Sequence, residues 1–249
     1  MSHKNSAIGF VPGLASFSRI NLGLLRIEYF KGVRQTLEQH GTPIYFFTIP
    51  PFAGVAQRAR ILANSLSKLQ VGRIHLIAHS MGGLDSRYCI HHFDPEHCIA
   101  SLITIGTPHQ GTPLANWVLE EGGLFQRVIR PLVRTAVVDL TPESCRRFND
   151  VIPDREDVRY VSYAGVRPET EMPLWFRPWT RMLEDKTGEN DSQVPLRSAM
   201  WGEFRRALRA DHLELAGWNM GRSKAQDQRP FDHVSFYRGV IAELLRGER

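Results

Sequence analysis

Short apolar runs and amphipathic stretches take turns along the chain. Residues 8–11, 44–49, 74–78, 99–105 and 158–164 are runs rich in β-branched or aromatic side chains, each closed by Gly, Pro or polar residues. Runs of this length and make-up read as strands buried in a sheet. Between them the spacing changes to the helical period. In residues 54–69, Val55, Ala59, Leu62, Ala63, Leu66 and Leu69 fall on one face. Thr141-Pro142-Glu143 has the form of a helix start. It offers a side-chain oxygen for the free N–H groups, a proline at the first helical position and an acid at the positive dipole end. A last helix is expected from residue 234 to about 246, burying Val234, Tyr237, Ile241, Leu244 and Leu245. Strands alternating with helices predict an α/β fold, a mostly parallel central sheet with helices on both faces.

Two stretches break the alternation. Residues 112–149 are helical throughout with no strand between, and are expected to form a cap inserted over the carboxyl edge of the sheet. Ligands bind at that edge in open α/β folds. Residues 167–182 carry Pro168, Pro173 and Pro178 together with Trp175, Phe176 and Trp179. Two readings stay open there: a loop that packs its aromatics into the core, or a wall or lid for an apolar substrate.

Composition narrows the class. A chain of 249 residues with 42% hydrophobic and 23% charged positions is an ordinary globular composition, long enough for one α/β domain over residues 1–249. No apolar run approaches the ~20 residues that span a bilayer. The opening residues lead into only Ala7-Ile8-Gly9-Phe10-Val11, too short and too late for a secretory leader, so a cytoplasmic setting is expected. The net charge of +5 comes from scattered arginines such as Arg127, Arg130, Arg134, Arg146 and Arg147. They form no stripe interleaved with aromatics, so no nucleic-acid partner is expected. The three cysteines, Cys89, Cys98 and Cys145, suit a reducing compartment. Cys89, His91, His92, His97 and Cys98 lie within ten residues, but their spacing matches no zinc-site pattern, and they read as a solvated helix end.

The sharpest local signal is Ile74-His75-Leu76-Ile77-Ala78-His79-Ser80-Met81-Gly82-Gly83. An apolar strand runs into a serine flanked by small residues, and a helical pattern follows. This is the nucleophile elbow G-x-S-x-G, with Ala78 at the first glycine. The turn strains the serine backbone and crowds the residues two before and two after it, which is why both must be small. Serine is a weak nucleophile until a base takes its proton, so an oriented histidine is required later in the chain. His212 and His233 both qualify by position. His79 and His109 flank the site and are expected to take no direct chemical role. The oxyanion hole needs two N–H groups. Met81 follows the serine, and Leu14 follows Gly13 after the first strand.

Several segments together resemble the bacterial triacylglycerol lipases of the Pseudomonas and Burkholderia type, from about residue 8 to the end, which implies the α/β-hydrolase fold. Val11-Pro12-Gly13-Leu14 resembles their Val-His-Gly-Leu oxyanion loop, with Pro12 in place of the histidine. Residues 77–83 followed by Arg87-Tyr88 match their elbow, and Gly106-Thr107-Pro108-His109-Gln110-Gly111 matches their Gly-x-Pro-His-x-Gly loop. Glu189-Asn190-Asp191-Ser192 resembles the family's Asn-Asp segment, which implies Asp191 as triad acid over Asp185, Glu189 and Asp211. His212-Leu213-Glu214 resembles the family's His-Leu-Asp, which implies His212 as base and puts His233 after the catalytic loop.

The resemblance also raises a structural calcium near the catalytic histidine. Glu214 stands at one ligand position, but Trp218 stands where a glutamine would be expected, so no cofactor or metal is expected. The expected function is a lipase-like carboxylic-ester hydrolase with Ser80, Asp191 and His212 as triad and Leu14 and Met81 as oxyanion donors. Its partners are an acyl ester or lipid and, transiently, a lipid interface; oligomeric state is left open by the sequence. An acyltransferase or thioesterase would use the same triad, and a non-catalytic binding protein on this fold is the remote alternative.

Overall fold

A computed structural model describes residues 6–14, 20–22, 25–37, 42–120, 124–220 and 230–247. The chain begins with β1 (Ser6–Val11), a short hairpin of β2 (Ile20–Leu22) and β3 (Leu25–Ile27), α1 (Val33–Leu37) and β4 (Ile44–Phe46). Then come α2 (Val55–Leu66), β5 (Arg73–His79), α3 (Gly82–Phe93) and β6 (Ile99–Ile105). Three helices follow without a strand, α4 (Pro113–Glu120), α5 (Leu124–Asp139) and α6 (Pro142–Val151). The chain resumes with β7 (Arg159–Gly165), α7 (Arg177–Thr187), α8 (Leu196–Ala199), β8 (Glu203–Leu208) and α9 (His233–Gly247).

Six strands form one sheet in the order β4-β1-β5-β6-β7-β8, every neighbouring pair parallel. The expected α/β architecture is therefore the one observed. Side chains alternate across the sheet, and each face has its own core. Ile8, Phe10 and Ile77 pack with α1 and α9 through Val33, Leu37, Tyr237 and Ile241. Ala7, Val11, Leu76 and Ala78 pack on the opposite face with Ala59, Leu62, Cys89 and Ile90 of α2 and α3. Thr141 caps α6 as its sequence implied, its side chain accepting from the Ser144 N–H. None of the described helices is long and apolar enough to cross a membrane.

The strand order reverses at β1. From it the chain passes to β4 on one side, and β5 then pairs on the other. The crevice beyond the carboxyl ends of two such strands is where open α/β sheets bind ligands. Here those ends are Val11, leading to Gly13-Leu14, and His79, leading to Ser80, with Val11 level with Ala78.

Candidate active site

Ser80 takes φ 56, a left-handed conformation that a side-chain-bearing residue adopts only under constraint. The constraint is visible around it. Its N–H donates to Ile105 O at 3.0 Å, and its carbonyl accepts from Thr107 Oγ1 at 2.7 Å. Two residues on, a Cβ on Gly82 would lie 2.7 Å from the carbonyl oxygens of both Val11 and Pro12, so only glycine allows the elbow this close to β1. The result lifts Ser80 Oγ above the sheet at the start of α3.

His212 and Asp191 reach the serine from the far end of the sheet. His212 follows β8, and its Nε2 lies 2.9 Å from Ser80 Oγ. Its Nδ1 lies 2.8 Å from Asp191 Oδ2. The other carboxylate oxygen of Asp191 accepts from the N–H groups of Gln193 at 3.0 Å and Val194 at 2.7 Å. The two loops are also joined through the backbone, the His212 N–H donating to Asp191 O at 2.8 Å. All three side chains are buried, Ser80 retaining 7% exposure, the most of the three. A carboxylate held by two N–H groups fixes the imidazole so that Nε2 presents a lone pair to the serine.

Met81 follows Ser80, and Gly13, before Leu14, packs against Ser80 so closely that an added Cβ would lie 2.6 Å from Ser80 Cβ; neither the Leu14 nor the Met81 N–H has a hydrogen-bond partner among the described residues. Leu14, Ser80 and His212 line one cavity of about 240 Å³ whose walls are apolar. Trp117 comes from α4, Val133 and Val137 from α5, Leu140 from the turn after it, and Val194 from the loop after Asp191. The tryptophan-rich stretch stands one layer back: Trp179 of α7 meets Trp117 with ring centroids 6.3 Å apart. Met172 there is fully buried while Leu174 and Trp175 are exposed, so the stretch divides between core and surface.

The other candidates lie elsewhere. His233 Nε2 donates to Lys31 O at 2.6 Å at the start of α9. Asp185 and Glu189 are exposed. Asp211 is buried beside Glu214 against Arg167, whose guanidinium lies 3.5 Å from Asp211 and 2.6 Å from Glu214. Burial and the neighbouring Glu214 push the Asp211 carboxyl up to about 6. These residues do not suit a calcium ion. The Glu214 carboxylate already faces a fixed positive charge, and Trp218 presents an N–H donor, bonded to Tyr29 O at 2.7 Å. On α3, Cys89 is buried and His91 and His92 are exposed, while His97 pairs with Asp157 at 2.7 Å. No three His, Cys, Asp or Glu side chains converge for a metal among the described residues.

Residues 56–189, more than half of the chain, match the family of the PGAP1-like alpha/beta domain. "Triacylglycerol lipase 2" of Saccharomyces cerevisiae is 34% identical, the alignment covering 90% of this chain and 75% of the yeast protein. The chain belongs to the triacylglycerol lipase family of carboxylic-ester hydrolases. A lipase of that name from Burkholderia plantarii is 31% identical over 99 residues, 37% of this chain and 27% of the bacterial one. In fold, Staphylococcus hyicus lipase superimposes with a TM-score of 0.73 at 16% identity, covering 99% of this chain and 97% of that one.

Within this lipase-family chain a buried arginine escaped the sequence pattern. Arg58 on α2 is wholly buried, its Nε donating to Asp85 Oδ2 at 2.8 Å. The same guanidinium donates to Pro12 O at 2.9 Å and Gly13 O at 3.0 Å, and so ties down the loop that carries Leu14. An arginine among the apolar positions of a helix gives no sign in sequence that its charge turns inward. Burial drives the Asp85 carboxyl up to about 7 against the pull of Arg58.

Proposed function

We propose that the chain cleaves lipid esters with apolar acyl groups through an acyl-enzyme on Ser80. His212 takes the Ser80 proton as Oγ attacks the ester carbonyl, and Asp191 stabilises the imidazolium that forms. The Leu14 and Met81 N–H groups receive the developing oxyanion; each donor of this kind contributes about 3 kcal/mol to the transition state. His212 then gives its proton to the departing alcohol, and water repeats the sequence to release the acid. The helices α4, α5 and α6 act as the cap, with apolar side chains of α4 and α5 taking the acyl group. The reading is calcium-independent, because Arg167 already balances the acidic side chains beside the histidine loop.

One observation carries this reading: the 2.9 Å approach of His212 Nε2 to Ser80 Oγ at the lining of an apolar cavity. The test is a panel of p-nitrophenyl esters from acetyl to palmitoyl, with a triglyceride emulsion alongside. Hydrolysis that rises beyond acetyl supports it. Acyl transfer to an added alcohol outrunning hydrolysis would move the chain to the acyltransferases.

A further inference from the structure

Tyr29 and His79 take no part in the hydrolytic steps above, yet they bridge the two halves of the site. His79 precedes Ser80, is almost wholly buried, and has its ring centroid 4.7 Å from that of His212. Its Nε2 lies 3.0 Å from the His212 carbonyl oxygen, which can only accept, so Nε2 carries the hydrogen. Nδ1 is then a bare lone pair, and the Tyr29 hydroxyl, 2.7 Å away, donates to it. Both donors are thereby assigned: Tyr29 to His79, His79 to His212. Burial holds the His79 pKa well below its ordinary value and raises that of Tyr29, so both members stay neutral and the chain keeps its direction. The packing has no slack, since a Cβ on Gly13 would lie 2.8 Å from the Tyr29 oxygen and 2.6 Å from Ser80 Cβ.

We propose that Tyr29 and His79 are positioning residues that lock the loop bearing Leu14 to the loop bearing His212, holding oxyanion donor and base in one register. The proposal rests on the reading of Ser80, His212 and Leu14 given above. No proton travels along the chain. It acts as a line of fixed dipoles, which spares the site a reorganisation when the oxyanion forms. The sequence hides it because Tyr29 lies fifty residues before His79, and His79 looks like an arbitrary x of the elbow.

Tyr29→Phe removes one oxygen and keeps the ring against Phe30. His79→Gln retains a donor for the His212 carbonyl, whereas His79→Leu does not. Each variant is assayed with a p-nitrophenyl ester at an active-site concentration titrated by a fluorophosphonate, together with Ki for a trifluoromethyl ketone that binds as an oxyanion. Tyr29→Phe is expected to lower kcat about tenfold or more with KM within about twofold, and Ki to rise in step. The titrated fraction and Tm should hold. His79→Leu should lose more than His79→Gln. A kcat for Tyr29→Phe within about twofold of wild type would overturn the proposal, as would equal losses in the two His79 variants or a loss accounted for by fewer titrated sites. A wild-type enzyme that neither hydrolyses the ester nor reacts with the fluorophosphonate would overturn the reading of Ser80, and this proposal with it.

Discussion

Arg58 and Asp85 meet at 2.8 Å with neither side chain exposed, and the same guanidinium holds the carbonyls of Pro12 and Gly13. Removing one partner of a buried ion pair leaves the other charge without compensation, at a cost of about 3–5 kcal/mol. Arg58→Met should therefore lower the urea midpoint sharply. It should also lower kcat per active site in the molecules that remain folded, because the Leu14 loop loses its two anchors. Urea titration and active-site-normalised kcat check both. A variant as stable and as fast as wild type would show that the clamp holds nothing.

His212→Ala should reduce kcat about as far as Ser80→Ala, on the order of ten-thousandfold or more, and the double variant should be no worse than either. His233→Ala should leave kcat within about threefold, since among the described residues its ring bonds Lys31 O, away from Ser80. Kinetics of the three single variants and the double decide it. A dead His233→Ala beside an active His212→Ala would move the base.

The pKa of Asp211 gives a pH signature. Its folded value of about 6 lies above the ~3.9 of an unfolded aspartate. The folded protein thus holds this proton more tightly than the unfolded chain. The stabilisation is complete below the unfolded value and lost as pH rises through the folded one. Between pH 4 and 6.5 wild type should lose stability relative to Asp211→Asn, by a few kcal/mol at most. Asparagine keeps an acceptor for the Leu213 and Glu214 N–H groups that Asp211 Oδ1 now serves. Chemical denaturation at half-unit pH steps reads the difference. Parallel curves for the two proteins would contradict it.

Melting with and without a chelator should give the same Tm to within about 2 °C, as the Arg167 guanidinium beside Glu214 implies. A larger fall that calcium reverses would mean a cation site exists.

Much of this was legible in the chain. Five of the six strands of the main sheet announce themselves by apolar runs: β1, β5, β6 and β7 are interior, and the edge strand β4 keeps Ile44, Tyr45 and Phe46 partly buried. The elbow announces itself by the steric demand for small residues around Ser80. β8 does not. It is an edge strand whose Arg205 and Arg206 face outward, so its sequence lacks the apolar signature. β2 and β3 are three residues each, too short for any period to register. Local pattern left His212 and His233 equal; the likeness to lipases separated them, and the structure brings His212 to 2.9 Å from Ser80 and 2.8 Å from Asp191. Arg58 and His79 stayed hidden because their partners, Asp85, Pro12, Tyr29 and the His212 carbonyl, meet them only through the fold.

The most direct measurement of the central claim is covalent labelling with a fluorophosphonate, followed by peptide mass spectrometry and an esterase assay on wild type and Ser80→Ala. The account predicts a single label on the peptide containing Ser80 and loss of activity in step with labelling. It also predicts that Ser80→Ala folds with unchanged Tm yet neither labels nor hydrolyses. A label on a different serine, with hydrolysis surviving in Ser80→Ala, would contradict it.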